Sequence, residues 1–295
     1  MQKEYLEKFL DDFAFPNGAK DTLFDAYEQV KDSVFFSVVE SYKSVADYDE
    51  CLANIRALAT EREVNEYTLI LLYLVYIAEK LKEEYIRKGI DLQIWRDSVL
   101  DLKYKALDCM DYCGVWGTKD APWHKHFFEM KRFGFEKLQF NLKDFANEYD
   151  KGGIYLEKES LALAVHIPQT GEKLDYESVQ RAYQKAVPFF RAYYPEVFNG
   201  KPVVFFLKSW MLFDKLQGVL KPQSNFMLFC KDFDVFRQDL YDDYSSVWRV
   251  FHKPYENDLS SLPQDTSLQR AYAKWIEQGE KIGYGWGVYC PPYAR

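Results

Sequence analysis

From the amino terminus to residue 114, apolar positions recur at helical spacing with little competition from strand patterns. Asp47 or Asp49 is placed to cap a segment running through Thr60. Asn65 is placed to cap a long helix whose apolar run, Leu69 to Ala78, gives way to the charged stretch Lys80 to Lys88. Gly89 stands where a left-handed residue would end that helix. Asp91 opens another helix, with Ile94, Val99, Leu102, Leu107 and Met110 near 3.6-residue spacing, and Gly114 closes it. The pattern predicts a helical bundle.

The pattern changes at Gly114-Val-Trp-Gly-Thr-Lys-Asp-Ala-Pro122, where two glycines and a proline interrupt it. A boundary here gives a helical domain over residues 1–118 and a second domain over residues 119–295. After a short helix from Trp123 to Arg132, strand signals dominate. Phe135 to Phe145 alternates Leu138, Phe140 and Leu142 with polar residues, and Asp150-Lys-Gly-Gly153 reads as a hairpin turn. Ile154 to Glu157 and Leu161 to Ile167 are the next expected strands. Asp175 caps a helix reaching about Tyr194, where Pro195 stops it, and Val203 to Trp210 reads as a strand buried on both faces. Beyond it the pattern predicts a short helix around 214–220, strands at 226–231 and around 247–252, a helix from Ser267 to Gln278, and a glycine-rich strand from Gly283 to Cys290. The order is α+β, a helical bundle followed by a mixed sheet flanked by helices, and the strands on either side of helix 175–194 can be parallel neighbours.

Composition narrows the function classes. With 38 Lys and Arg against 46 Asp and Glu, the net charge is −8, the reverse of what phosphate neutralisation asks of a general nucleic-acid binder. Leu69 to Ala78 is about half the length of a membrane span. The amino terminus mixes charge signs where a secretion signal would be apolar, and five cysteines without framework spacing fit a reducing compartment, so a cytoplasmic protein without nucleic-acid or membrane partners is expected. Aromatics make up 18% of the chain, which supports a bulky interior without choosing a ligand. No phosphate loop, dinucleotide fingerprint, Gly-x-Ser-x-Gly elbow or His-Glu-x-x-His is present.

Four stretches carry a resemblance: Arg132-Phe-Gly-Phe-Glu-Lys-Leu-Gln-Phe140; His166-Ile-Pro-Gln-Thr-Gly171; Ser209-Trp-Met-Leu-Phe-Asp214 with Ser224-Asn225; and Leu268-Gln-Arg-Ala-Tyr-Ala with Gly283-Tyr-Gly-Trp-Gly287. On these the chain resembles, over nearly its whole length, a bacterial family of two-domain N-acyltransferases with a helical N-terminal domain and a GNAT-like C-terminal domain. The resemblance implies that acyl-CoA, as acetyl-CoA or a similar thioester, is the co-substrate, that a small-molecule amine is the acceptor, and that no metal takes part. It implies a pyrophosphate site at Ile167, Gln169, Thr170, Gly171, Glu172 and Lys173, ahead of the helix from Asp175, where free backbone N–H groups and the positive helix end attract phosphate. The pantetheine arm would run between the strand ending at Ile167 and the strand Val203 to Trp210. The loop departs from the GNAT pattern Gln/Arg-x-x-Gly-x-Gly/Ala: it has one glycine and carries Glu172 and Asp175, which repel phosphate unless Lys173, Arg181 and Lys185 offset them.

Acyl transfer to an amine needs a base and a donor for the developing oxyanion. On the resemblance, His166 is the best-placed base, the alternative being a strand-end histidine bonded to backbone. Glu136 is a second possible base or amine-binding group, although Glu136 and Gln139 on one strand should point oppositely. Ser209 could protonate the leaving thiolate, and Trp210 could wall the acyl pocket or belong to the core. Cys230 has no histidine nearby in sequence and reads as an inert core thiol. Cys109 and Cys113 with His124 and His126 match no defensible zinc spacing. An acyl-CoA-dependent N-acyltransferase acting by direct attack is therefore expected. The alternative is a non-catalytic binding or regulatory module that kept the fold.

Overall fold

Among the described residues, 2–170 and 172–294, the computed structural model has eight α-helices before its first strand. They are α1 (Gln2–Asp12), α2 (Asn17–Val30), α3 (Phe35–Ser41), α4 (Tyr48–Glu61), α5 (Glu66–Arg87), α6 (Leu92–Val99), α7 (Asp101–Cys113) and α8 (Ala121–Phe128). Helix α5 carries the apolar run and is apolar all round, so every residue from Thr68 to Ala78 is buried and its neighbours wrap it. Asn65 caps it as expected, its Oδ1 accepting from the Tyr67 and Thr68 N–H groups at 3.0 and 3.3 Å. Asp91 likewise accepts from Gln93 N–H at 2.8 Å. The single helix expected from Asp91 to Gly114 is broken at Leu100 into α6 and α7, and Gly114 closes α7 with φ +69°.

The chain divides into two units: Met1–Gly134 with Pro168–Glu172, and Phe135–Ile167 with Lys173–Arg295. The boundary expected after residue 118 thus falls inside the first unit, because the stretch that breaks the helical pattern is clasped to α5. Thr68 Oγ1 donates to the Trp116 carbonyl at 2.8 Å and Thr118 N–H to the Tyr67 carbonyl at 3.0 Å. A Cβ on Gly117 would lie 2.4 Å from the Tyr67 carbonyl carbon, so only glycine fits there.

Where α7 begins, polar groups are buried together. Asp101, 1% exposed, accepts from Trp123 Nε1 at 3.0 Å and lies 3.5 Å from His124 Nδ1. His124 Nε2 is 3.1 Å from Thr118 Oγ1. The Arg132 guanidinium sits 3.6 Å from the Trp123 ring centre and donates to the Trp123 carbonyl at 2.9 Å. Despite the nearby carboxylate, His124 is neutral: burial, then the charge of Lys105, push its pKa down to about 3. The unfolded chain takes up this proton near the ordinary value of about 6.5, whereas the folded chain does not until about 3. Stability should therefore fall as pH drops through that window, by on the order of 1 kcal/mol per pH unit. Urea midpoints of the wild type and of His124→Gln between about pH 7 and about pH 4.5 check this. The variant should lose about one proton's worth of slope, and equal slopes would exclude His124 as the source.

Strand β1 (Arg132–Phe135) spans the division after Gly134, and the second unit is built on a sheet of β2 (Leu138–Asp144), β5 (Leu161–His166), β6 (Phe205–Ser209), β7 (Asp234–Leu240) and β8 (Gly283–Tyr289), in the order β2-β5-β6-β8-β7. A separate hairpin, β3 (Tyr149–Lys151) with β4 (Ile154–Leu156), matches the expected turn at 150–153. The remaining helices are α9 (Tyr176–Tyr193), α10 (Pro195–Phe198), α11 (Asn225–Lys231), α12 (Trp248–Phe251) and α13 (Ser267–Glu277). As expected, β5 and β6, joined through α9, are parallel neighbours. One face of the sheet holds Phe140, Phe205 and Tyr289 against Tyr183 of α9, with ring centres 5.5, 4.8 and 4.9 Å from it. The other face buries Ala162, Ala164, Phe206 and Val288 under Phe145, Tyr149, Ile154 and Leu156.

Three expected strands differ. Phe135 to Phe145 is two strands, turned at Glu136, whose φ of +55° is left-handed. Residues 225–231 form α11, capped by Ser224 Oγ accepting from Met227 N–H at 3.3 Å, and residues 248–251 form α12, ended by His252 at φ +54°. The strand missing from the sequence reading is β7. It lies at the sheet edge and carries polar residues on both faces, so no alternation marks it.

Candidate active site

The two central strands part at one end. β2 pairs with β5 without interruption from Asp144↔Leu161 to Gln139↔His166. β6 pairs with β8 from Phe205↔Tyr289 to Ser209↔Gly285. Between them β5 and β6 are registered only at Leu163↔Phe205 and Ala164↔Phe206, so the ladder stops two residues before β5 ends and three before β6 ends. Strands that separate in this way turn backbone N–H and C=O groups into the gap, where an extended ligand can take them. Beside β6, the glycines of β8 are closely packed. A Cβ on Gly285 would lie 2.6 Å from the Leu212 carbonyl oxygen, and one on Gly287 2.8 Å from Phe233 Cβ. The turn after β6 therefore rests directly on β8, and the close approach these glycines allow is to backbone and core.

Side-chain alternation sorts the candidates around this gap. His166, half-buried, ends β5 opposite Gln139, and both share the face of Ala164 and Asn141. Glu136 is elsewhere. From its turn it meets α9, accepting from Ser178 Oγ at 3.3 Å, bonding Lys185 Nζ and lying 3.5 Å from Arg181 Nη2. Burial alone would raise its pKa, but the Lys185 hydrogen bond and the charges of Lys185 and Arg181 outweigh it and hold the carboxylate below its ordinary value. Glu136 is thus an ion-paired carboxylate, and the structure does not bring it to His166. Ser209 Oγ accepts from Met211 N–H at 3.1 Å, which leaves its hydroxyl hydrogen to donate. Trp210 packs on Phe226 and Tyr272, with ring centres 5.7 and 6.3 Å away, in the core around α13.

Residues 168–172, expected to cradle pyrophosphate, belong by contact to the first unit, where Gln169 Nε2 donates to Asp111 of α7 at 2.6 Å. Thr170 Oγ1 accepts from Glu172 N–H at 3.1 Å, and Gly171 lies outside the described residues. Ile167 follows directly on β5, and Lys173 is exposed. Asp175 caps α9 by accepting from Ser178 N–H at 3.1 Å, with Arg181 3.8 Å away. The cations expected to offset the acidic loop are therefore largely committed: Lys185 to Glu136, and Arg181 to Glu136 and Asp175.

Cys230 Sγ donates to the Met211 carbonyl at 3.2 Å, and burial, then the charge of Asp232, push its pKa up to about 12, so it is a thiol at neutral pH. Among the described residues no group of three or more His, Cys, Asp or Glu side chains is placed to hold a metal ion. No helix of these residues is long and apolar enough to cross a membrane.

One group on the gap's face was missed in the sequence. Lys208, the one charge in the run Val203 to Trp210, lies on β6 opposite Trp286, with its Nζ 5.0 Å from the Trp286 ring centre and 4.5 Å from that of Tyr284. A lone lysine inside an otherwise apolar strand was the available signal.

A mixed sheet whose parallel central strands part beside a helix start defines a GNAT-like acyltransferase fold. Residues 4–130 match the N-acyltransferase N-terminal domain and residues 131–289 the GNAT-like C-terminal domain, so the chain belongs to the family of two-domain acyltransferases built from these parts. Among solved structures it is similar to an acyltransferase in complex with decanoyl-CoA and teicoplanin (18% identity, TM-score 0.73, covering 97% of this chain and 87% of that one). It is also similar to an acyltransferase with CoA and 10C-teicoplanin (17%, 0.72, 97% and 87%) and to a mutant acyltransferase with octanoyl-CoA (18%, 0.72, 98% and 88%). At these identities the likeness is one of fold. No curated protein matches the chain.

Proposed function

We propose that the protein transfers an acyl group from acyl-CoA to the amine of a small molecule by direct attack. The observation that carries this reading is the parting of β5 and β6 with His166 at its rim. In it, the pantetheine arm lies along the gap and the pyrophosphate lies toward the start of α9. His166 accepts the proton that the amine loses as its nitrogen attacks the thioester carbonyl, a backbone N–H in the gap stabilises the oxyanion, and the C–S bond breaks. The leaving thiolate is protonated through the Ser209 hydroxyl, which regains its proton from solvent, while His166 gives up to solvent the proton it took from the amine. Direct attack is favoured over an acyl-enzyme because Cys230 is held as a thiol. The decanoyl-CoA, octanoyl-CoA and CoA complexes of the similar structures support this class of donor.

A second reading, a module that keeps the fold without binding coenzyme A, is favoured by one observation. The α9 start is capped by the Asp175 carboxylate, and the cations beside it are engaged by Glu136. Calorimetric titration with CoA, acetyl-CoA and decanoyl-CoA separates the two. The acyltransferase reading expects saturable binding with Kd below about 100 μM, about 5.5 kcal/mol of affinity. A folded protein that binds none of the three supports the module.

A further inference from the structure

We infer that Lys208, with the rings of Tyr284 and Trp286, forms an anchor for an anionic group of the acceptor, so that the acceptor is an amine carrying a carboxylate on a flat apolar frame. Placement comes first. The register sets Lys208 opposite Trp286 on β8, and Trp286 opposite Arg237 on β7, all on the sheet face that holds Ala164 and His166. Continued past Ala164↔Phe206, the β5–β6 register would bring His166 and Lys208 level on the two sides of the gap. Neighbouring strands lie about 5 Å apart even where paired, so an acceptor reaching from one to the other spans more than that.

Charge comes next. Lys208 is exposed, and among the described residues it makes no direct ion pair; its ammonium lies over the two rings, and its charge reaches as far as the Asp239 carboxylate. Arg237, the cation opposite Trp286, is answered by Asp239, with Nε and Oδ2 2.9 Å apart. The same Asp239 oxygen accepts from Trp286 Nε1 at 2.9 Å, which fixes the indole plane before any ligand arrives. On a chain of net charge −8, this places an exposed cation with no direct ion pair among the described residues beside a preset, half-exposed aromatic surface. Such a pair offers an ion pair to a carboxylate and stacking to a flat frame. The far half of the same face is closed by the β3–β4 hairpin, so the polar half is distinct from the core.

The inference rests on the acyl-transfer reading for where the amine must lie, but it is tested by binding. The probes are 4-(aminomethyl)benzoate and 4-(aminomethyl)benzamide, which differ in the carboxylate alone. Their binding to the full chain, with and without coenzyme A, is measured by ligand-observed NMR for wild type, Lys208→Met and Lys208→Arg. Coenzyme A affinity is measured calorimetrically for each. The wild type should prefer the carboxylate probe by about ten-fold. The preference should vanish in Lys208→Met, return in Lys208→Arg, and leave coenzyme A affinity unchanged. Equal binding of the two probes, binding of neither, or a preference surviving in Lys208→Met overturns the inference. Loss of coenzyme A binding with the probe preference intact would instead sink the acyl-transfer reading.

Discussion

His166→Gln is expected to lower kcat by roughly 10²- to 10⁴-fold, the usual contribution of a positioned acid–base group, while coenzyme A affinity stays within about two-fold. Glutamine nearly preserves the size of the ring and retains hydrogen bonding, but it cannot take a proton in the neutral range. A base at the rim of the β5–β6 gap acts on the amine, so binding of the thioester should not register its loss. The wild-type rate should rise with pH as the base loses its proton, and the variant should lose that limb. Thermal unfolding alongside the kinetics is decisive. If turnover and stability fall together, His166 is a strand-end structural residue and the base lies elsewhere. Glu136→Gln serves as the comparison. It breaks a partly exposed pair with Lys185 and Arg181, worth about 1 kcal/mol at most, and should leave the rate limb in place.

Asp101→Ala should cost about 3–5 kcal/mol of folding stability, because it removes the carboxylate from a cluster that keeps Arg132 and Lys105 among apolar and aromatic groups. Arg132 shows the stress already. Burial brings its pKa down to about 10 even with the charge of Asp101 acting to raise it. Without that charge, and with Trp123 Nε1 left without its acceptor, the buried guanidinium keeps the charge of Glu129 but loses the larger of its two favourable partners. Asp101→Asn keeps an acceptor for the indole and should fall between wild type and alanine. Chemical denaturation reads both, and an alanine loss below about 1 kcal/mol would mean that the cluster is solvated or able to rearrange.

What could be read from the sequence divides along the range of the interactions. Asn65, Asp91 and Asp175 were recognisable as caps because a short oxygen-bearing side chain meets an N–H two or three residues on. The Leu69–Ala78 run could be placed because a helix apolar all round has nowhere to lie but the interior. β7 could not be read: Asp234-Val-Phe-Arg-Gln-Asp-Leu240 is a strand by virtue of β8 beside it. At 226–229 two phenylalanines in an apolar run suggested a strand, and the Ser224 cap decided for a helix. At the site, His166 was placed correctly at a strand end. Glu136 and Gln139 do fall on opposite sides, but by a left-handed turn rather than by alternation along one strand. The Asp101 cluster and the standing of Lys208 needed tertiary contacts and register that no local pattern carries.

The glycines of β8 carry a consequence for how such a protein can change over time. Alternate positions of this strand, 283, 285 and 287, are pressed by backbone and core atoms and have no room for a side chain. The intervening Tyr284 and Trp286 look the other way, onto the face shared with His166 and Lys208. One strand thus keeps a frozen side and a writable side at single-residue intervals. A lineage could revise what that surface recognises, ring by ring and charge by charge, while the scaffold that parts β5 from β6 stays as it is.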